Sequence, residues 1–350
     1  MNTNRPLDEL GFPAVVISRL LESDFVSTDD VQNLQPAELG SATGLSLKES
    51  AEVVRLVSAT SISEPQDVLQ IIEDESDIPH IVTFCEAIDT LLGGGIPLRA
   101  ITEISGTPGI GKTQMCLQVC VSVQVPVSVG GVGGQALFID TEGSFTSSRI
   151  KDMASHAVHH VQSISTDNPD AATFTVESIL KGIHYFRCHN YIEVLAVIRH
   201  LPTLLQSHPN IRLVVIDSVA FHFRHDFSDN VARTGLLCQM THSLIQLAGS
   251  HNLAVIVTNQ MTTKIENSGS SQLVAALGET WGHCPTLRLS LHWQHHIRVA
   301  TLIKAPHIRT SSVNFQVTVA GIRDISSGSV TQNMAEAQNS KKRKWTSDDS

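Results

Sequence analysis

The 350-residue sequence predicts an α/β domain with a mostly parallel central sheet and antiparallel C-terminal strands, preceded by a small helical domain. Three observations carry this expectation. Apolar runs at 100–104, 136–139, 213–216 and 253–257 are separated by longer stretches of helical periodicity, as in parallel strands covered on both faces by crossover helices. The runs at 287–291, 299–303 and 315–319 lie too close together for helical crossovers, which makes them antiparallel. GTPGIGKT at 106–113, set between a strand-like TEI and a helix-like run, is a phosphate-loop pattern.

The elements follow in order. Residues 1–60 read as a small helical domain with three apolar sets: Val15, Val16, Ile17, Leu20 and Leu21; then Val31, Leu34 and Leu39; then Ala51, Val53, Val54, Leu56 and Val57. Turns or caps are expected at 28–30 and 44–46. Polar, acidic residues at 61–80 suggest a linker around one short helix, and 81–325 holds the large domain. Residues 326–350, rich in Ser, Asn and Gln, are expected to be a disordered tail. Its KKRK at 341–344 fits a nuclear import signal, a nucleic-acid anchor or a solubilising end.

Composition narrows the function. Lys+Arg 24 against Asp+Glu 34 leaves a net charge of −10, which excludes a broad basic nucleic-acid surface and restricts such binding to a local patch or a shared one. No apolar run reaches membrane-spanning length, and Arg5, Asp8 and Glu9 precede any apolar stretch, so a soluble intracellular protein without membrane contact is expected. The six cysteines form no C-x-x-C pair and read as reduced structural thiols. The His156/His159/His160 and His292/His295/His296 groups have no carboxylate or cysteine at ligand spacing, so no metal beyond Mg²⁺ is indicated.

The phosphate loop supplies the first chemistry. Gly106, Gly109 and Gly111 let the backbone of Gly106, Thr107, Pro108, Gly109, Ile110 and Gly111 turn its N–H groups toward a phosphate chain at the start of a helix. Lys112 reaches the terminal phosphates, and Thr113 offers a hydroxyl to Mg²⁺. Asp217, closing RLVVID, is the strand-end carboxylate such a metal needs, with a helix cap as its bland alternative. Glu142 in ALFIDTEGSF is the candidate for orienting a water, with Asp140 second and a solvated loop carboxylate as the rival. Gln260, after LAVIVTN, is placed to sense the γ-phosphate and signal into the long Ser- and Gly-bearing loop at 261–282, unless it merely ends a strand. That loop sets Lys264 against Glu266 and Glu279, so its own pull on a phosphate backbone is expected to be modest.

ITEISGTPGIGKTQ, ALFIDTEGSF, LVVIDSVAFHFRHDF, AVIVTNQMTTKI and LGETWGH, in this order, resemble the RecA-like recombinase family, eukaryotic branch, over residues 10–324. The resemblance implies a RecA-like P-loop ATPase core that uses ATP and Mg²⁺, with Lys112, Glu142 and Gln260 catalytic and Thr113 and Asp217 holding the metal. It implies that Arg149 lies against the adenine, that Arg224 and Asp226 belong to a first DNA-facing segment and 261–280 to a second, and that 301–310 caps a nucleotide on a neighbouring protomer. The family's helical-domain G-x-G hairpin signature is absent, and the linker at 61–80 holds no F-x-x-A segment of the kind by which the principal recombinase joins itself. The expected partners are therefore related recombinase paralogue subunits, single-stranded or branched DNA, and the principal recombinase filament. Homologous recombination repair and meiosis follow from the resemblance, in the nucleus, with the cytoplasm as a second compartment.

Overall fold

The computed structural model describes residues 5–32, 34–60, 67–165, 168–225, 227, 230–265 and 271–325. It divides after Asp77 into two compact units, the boundary falling inside the segment read as a linker. The tail with its KKRK run lies outside the described residues, as do Asp226 and Glu266.

The first unit holds a 3-10 turn at Leu7–Leu10 and helices α1 (Ala14–Glu22), α2 (Thr28–Val31), α3 (Pro36–Thr43), α4 (Leu47–Thr60) and α5 (Val68–Ser76). Val16 and Leu20, one helical turn apart, are buried with Val31, Leu39, Val53 and Val57, whereas Val15 and Leu21 face outward. Residues 28–30, expected as a turn or cap, form the first turn of a short α2, and the Asp30 carboxylate accepts the Ser27 backbone N–H at 2.8 Å as its capping box. Gly44 ends α3 at φ 70°, a left-handed position suited to glycine.

The second unit contains β1 (His80–Ile81), α6 (Glu86–Leu91), β2 (Ile96–Pro97), β3 (Ala100–Gly106), α7 (Lys112–Ser122), β4 (Gln135–Asp140), α8 (Ser147–Ile164), α9 (Pro169–Thr173) and α10 (Val176–Lys181). It continues with β5 (Ile183–Arg187), α11 (Tyr191–Ser207), β6 (Ile211–Asp217), α12 (Val219–His225), α13 (Asn230–His251) and β7 (Ala254–Asn259). Its last elements are β8 (Met261–Ile265), β9 (Ser271–Ala275), α14 (Gly278–His283), β10 (Leu287–Gln294), β11 (Ile297–Lys304), β12 (Ser312–Thr318) and β13 (Gly321–Arg323).

Nine strands form one sheet in the order β13-β12-β11-β10-β3-β7-β6-β4-β5. Strands β10, β3, β7, β6, β4 and β5 run parallel, and β11 to β13 return antiparallel; the runs at 287–291, 299–303 and 315–319 are antiparallel to one another as their spacing predicts, but the first of them, in β10, also joins the parallel set through β3. Because side chains alternate along a strand, Leu213 and Val215 enter one core with α7 and α8, and Val214 and Ile216 enter the other with α11 and α13. Cys116 and Cys120 are buried in the first of these cores, and their thiols are pushed up by that burial, so they remain inert packing groups.

Two features depart from the sequence reading. Strand β5 was not among the expected strands; it adds to β4 at the sheet edge, and its half-buried residues lack the continuous apolar run of an internal strand. The segment read as a loop at 261–282 is largely structured: β8 and β9 pair antiparallel, with Thr263 opposite Leu273, and α14 follows.

Candidate active site

Gly106 is where the phosphate loop leaves the sheet. It is the last residue of β3 in register with β10, opposite Leu291, and a Cβ there would lie 2.6 Å from the Leu291 carbonyl oxygen. No other residue type fits that close approach. Gly109 and Gly111 take φ of 76° and 119°, and the chain enters α7 at Lys112. The Lys112 ammonium crosses the loop and donates to the carbonyls of Gly106 (2.9 Å) and Thr107 (3.2 Å). Burial pushes its pKa down, while Asp217 and Glu142 pull it back up.

The metal-binding candidates meet directly. The Thr113 hydroxyl, in the first turn of α7, donates to Asp217 Oδ2 at 2.6 Å, and the Thr258 hydroxyl from β7 donates to Oδ1. Asp217 closes β6 and is buried, which raises its pKa; the Thr113 and Thr258 hydrogen bonds act in the opposite sense. A hydroxyl beside a strand-end carboxylate is a hard oxygen donor set that fits Mg²⁺ with water and phosphate as its remaining ligands. Among the described residues no group of three or more His, Cys, Asp or Glu is arranged to hold a metal ion.

Glu142 and Gln260 also come together. Glu142 Oε1 accepts from the Ser218 hydroxyl at 2.5 Å and from Gln260 Nε2 at 2.8 Å. Gln260 Oε1 in turn accepts from the Arg224 guanidinium at 3.0 Å. Arg224, near the end of α12, was read only as part of a DNA-facing segment, yet here it ends a hydrogen-bonded line running from Glu142 through Gln260. Asp140 has a different role: its Oδ1 accepts the backbone N–H groups of Glu142, Gly143 and Ser144, and its Oδ2 accepts the Phe145 backbone N–H and the Tyr185 hydroxyl. Asp140 therefore holds the turn that presents Glu142.

Arg149 stands beside α7. Its Nε donates to Gln114 Oε1 at 2.7 Å, and its terminal nitrogens donate to the carbonyls of Thr318, which ends β12, and Val319, which follows it. Its guanidinium is thus fixed to Gln114, the residue after Thr113 in α7.

One buried cluster was not anticipated. Glu103, in the middle of β3, is fully buried; its Oε1 accepts from Asn259 Nδ2 and Trp281 Nε1, each at 2.7 Å, and its Oε2 pairs with Arg288 Nε. Asn259 also donates to the Ala276 carbonyl at 2.9 Å, and the Ala276 N–H reaches the Gln260 carbonyl at 2.8 Å. Both ends of the β8–β9 ribbon are thus tied to the sheet next to Gln260. The sequence signal was a lone carboxylate inside an apolar run, ITEIS.

A parallel sheet carrying a phosphate loop on its first internal strand, a strand-end carboxylate two strands away and antiparallel strands on one wing defines a RecA-like nucleotide-binding core. The chain belongs to the Rad51 family, whose model matches residues 74–325. It is 43% identical over 324 residues to "DNA repair protein RAD51 homolog 3" of Cricetulus griseus, covering 87% of this chain and 88% of that protein. The protein of the same name from Dictyostelium discoideum is 43% identical over 250 residues, 70% of this chain and 66% of its own. "DNA repair and recombination protein RadA" of Metallosphaera sedula is 33% identical over 321 residues, covering 91% and 94%. Within the family, FCEAIDTLLGGGIPL at 84–98 and HYFRCHNYIEVLA at 184–196 resemble the C-type paralogue, in agreement with the first two relatives.

Proposed function

We propose that this chain is a Mg²⁺-dependent ATPase of homologous recombination repair that works in complexes with related recombinase paralogues. It binds single-stranded or branched DNA and assists assembly or remodelling of the principal recombinase filament, in damage repair and in meiosis, in the nucleus and with a share in the cytoplasm. The names of the relatives support the repair assignment, and the net charge of −10 supports DNA binding completed by partners. The observation that carries the reading is the line Arg224–Gln260–Glu142, which joins the phosphate-loop side of the sheet to the root of the β8–β9 ribbon.

The chemistry follows from these side chains. ATP, when bound, supplies the phosphoanhydride whose cleavage drives the change of state. Lys112 offsets phosphate charge, Thr113 and Asp217 would hold Mg²⁺, and the loop N–H groups orient the phosphate chain. Glu142 orients a water and takes its proton at a carboxylate oxygen. Gln260, bonded to Glu142 and placed at the root of the ribbon, couples the occupancy of one site to the conformation of the other.

Lys112→Ala tests the nucleotide grip. Loss of a charged hydrogen-bond donor to phosphate corresponds to about 10- to 100-fold weaker nucleotide binding, with the melting temperature of the nucleotide-free protein unchanged. Wild-type affinity in this variant would remove the proposed mechanism. The broader reading is tested by ATPase activity and DNA binding on one chromatographic peak, for the chain alone and coexpressed with related subunits. DNA-stimulated turnover in a defined mixed complex supports it, and a long filament formed by the chain alone would sink the heteromeric part.

A second reading is an ATP-gated assembly scaffold with little turnover. It is favoured by the doubly bonded Oε1 of Glu142, which suits a latch as well as a base.

A further inference from the structure

Strand β10 does not stop where its pairing with β3 ends. That pairing closes at Leu291 opposite Gly106, and β10 runs on through His292, Trp293 and Gln294 before turning back into β11. The turn residues His295 and His296 both have positive φ, 49° and 69°, the backbone of a tight two-residue hairpin whose twist matches its strands. The hairpin therefore extends past the sheet alongside the phosphate loop.

Its side chains reach that loop. Trp293 and Arg298 are direct cross-strand partners, and the Arg298 guanidinium carbon lies 4.4 Å from the centroid of the Trp293 ring. This cation–π contact fixes the long arginine side chain over a half-exposed indole. Arg298 Nε donates to the carbonyl oxygen of Ile110, inside the phosphate loop, at 3.0 Å.

The consequence comes from peptide geometry. In a planar trans peptide the C=O and the following N–H point in opposite directions. A donor that holds the Ile110 carbonyl toward the hairpin thereby turns the Gly111 N–H the other way. Gly111 is the N-cap of α7, where the loop's N–H groups converge, and at φ 119° its backbone has no side chain to restrain it. An external restraint on the 110–111 peptide is what this position lacks, and Arg298 provides one.

We propose that Arg298, clamped by Trp293, is a positioning residue for nucleotide binding: it sets the 110–111 peptide so that the Gly111 N–H faces the phosphate chain. The inference rests on the ATP reading above. Arg298 touches the loop backbone and acts on the nucleotide through it.

The test uses the full-length chain and a fluorescent, hydrolysis-resistant ATP analogue with Mg²⁺, measuring affinity by titration. Arg298→Met keeps the length of the side chain and removes donor and charge; it should weaken binding about tenfold, the value of a lost charged hydrogen bond. Arg298→Lys should recover part of that loss, and Trp293→Phe should bind more tightly than Trp293→Ala, because a ring is retained. At saturating ATP the turnover of Arg298→Met should stay within about twofold of wild type while KM rises, since uniform binding is what is lost. A merely structural role would lower the melting temperature without producing that split or the lysine rescue. Should Arg298→Met fail to fold, Trp293→Ala, altered at a half-exposed position, carries the same comparison. Wild-type affinity in both Arg298→Met and Trp293→Ala overturns this inference alone, whereas an intact chain that binds no nucleotide overturns the ATP reading and this inference with it.

Discussion

Glu142→Gln will leave nucleotide binding intact and slow ATP turnover by about 10²- to 10⁴-fold, the range contributed by a positioned general base. The amide has the shape of the carboxylate and its oxygen can still accept from Ser218 and Gln260, so the line to Arg224 survives. What it loses is the capacity to take a proton from water. Single-turnover hydrolysis by a purified mixed complex is the direct measurement. Unchanged hydrolysis would move the catalytic role to another group. Lost hydrolysis with full repair in cells would favour the scaffold reading, in which occupancy matters and cleavage does not.

Glu103→Ala will destabilise the second unit by about 3–5 kcal/mol, the cost of removing one partner from a buried ion pair. Three donors converge on this carboxylate, from Asn259, Trp281 and Arg288, and each would lose its acceptor in a dry site. The loss should be read by urea unfolding and by faster hydrogen exchange at 261–283, because Asn259 and Trp281 anchor that segment. Glu103→Gln, which keeps an acceptor and drops the charge, should cost less. A loss below about 1 kcal/mol for the alanine variant would mean that the cluster is not a structural anchor.

The sheet was legible in the sequence because internal parallel strands must be apolar on both faces, and the four runs that satisfy this condition are the four strands beside the phosphate loop. Lys112, Thr113, Asp217, Glu142 and Gln260 were legible for a related reason: each follows an apolar strand or opens the next helix, where the chain emerges at one edge of the sheet. Strand β5 was missed because an edge strand carries polar residues and gives no continuous run. The β8–β9 ribbon was missed because its strands are short, polar and two-sided, so periodicity has nothing to register. The contacts of Glu103, Arg224 and Arg298 could not be read from sequence alone, since each meets a partner from a distant element: Arg288, Gln260 and Ile110 respectively.

Strand β5 also bears on how the protein behaves in a test tube. Among the described residues it pairs on one side only, with β4, leaving the outer row of backbone donors and acceptors to water. The polar side chains that would ordinarily guard such an edge are drawn back onto β4: His184 to Gln135, Tyr185 to Asp140, and Arg187 to the Asp140 carbonyl. An unguarded edge is a template for strand addition, so concentrating the isolated chain invites colloidal association and precipitation. Yield, storage life and sensitivity to concentration should be governed by these five residues more than by the melting temperature of the core.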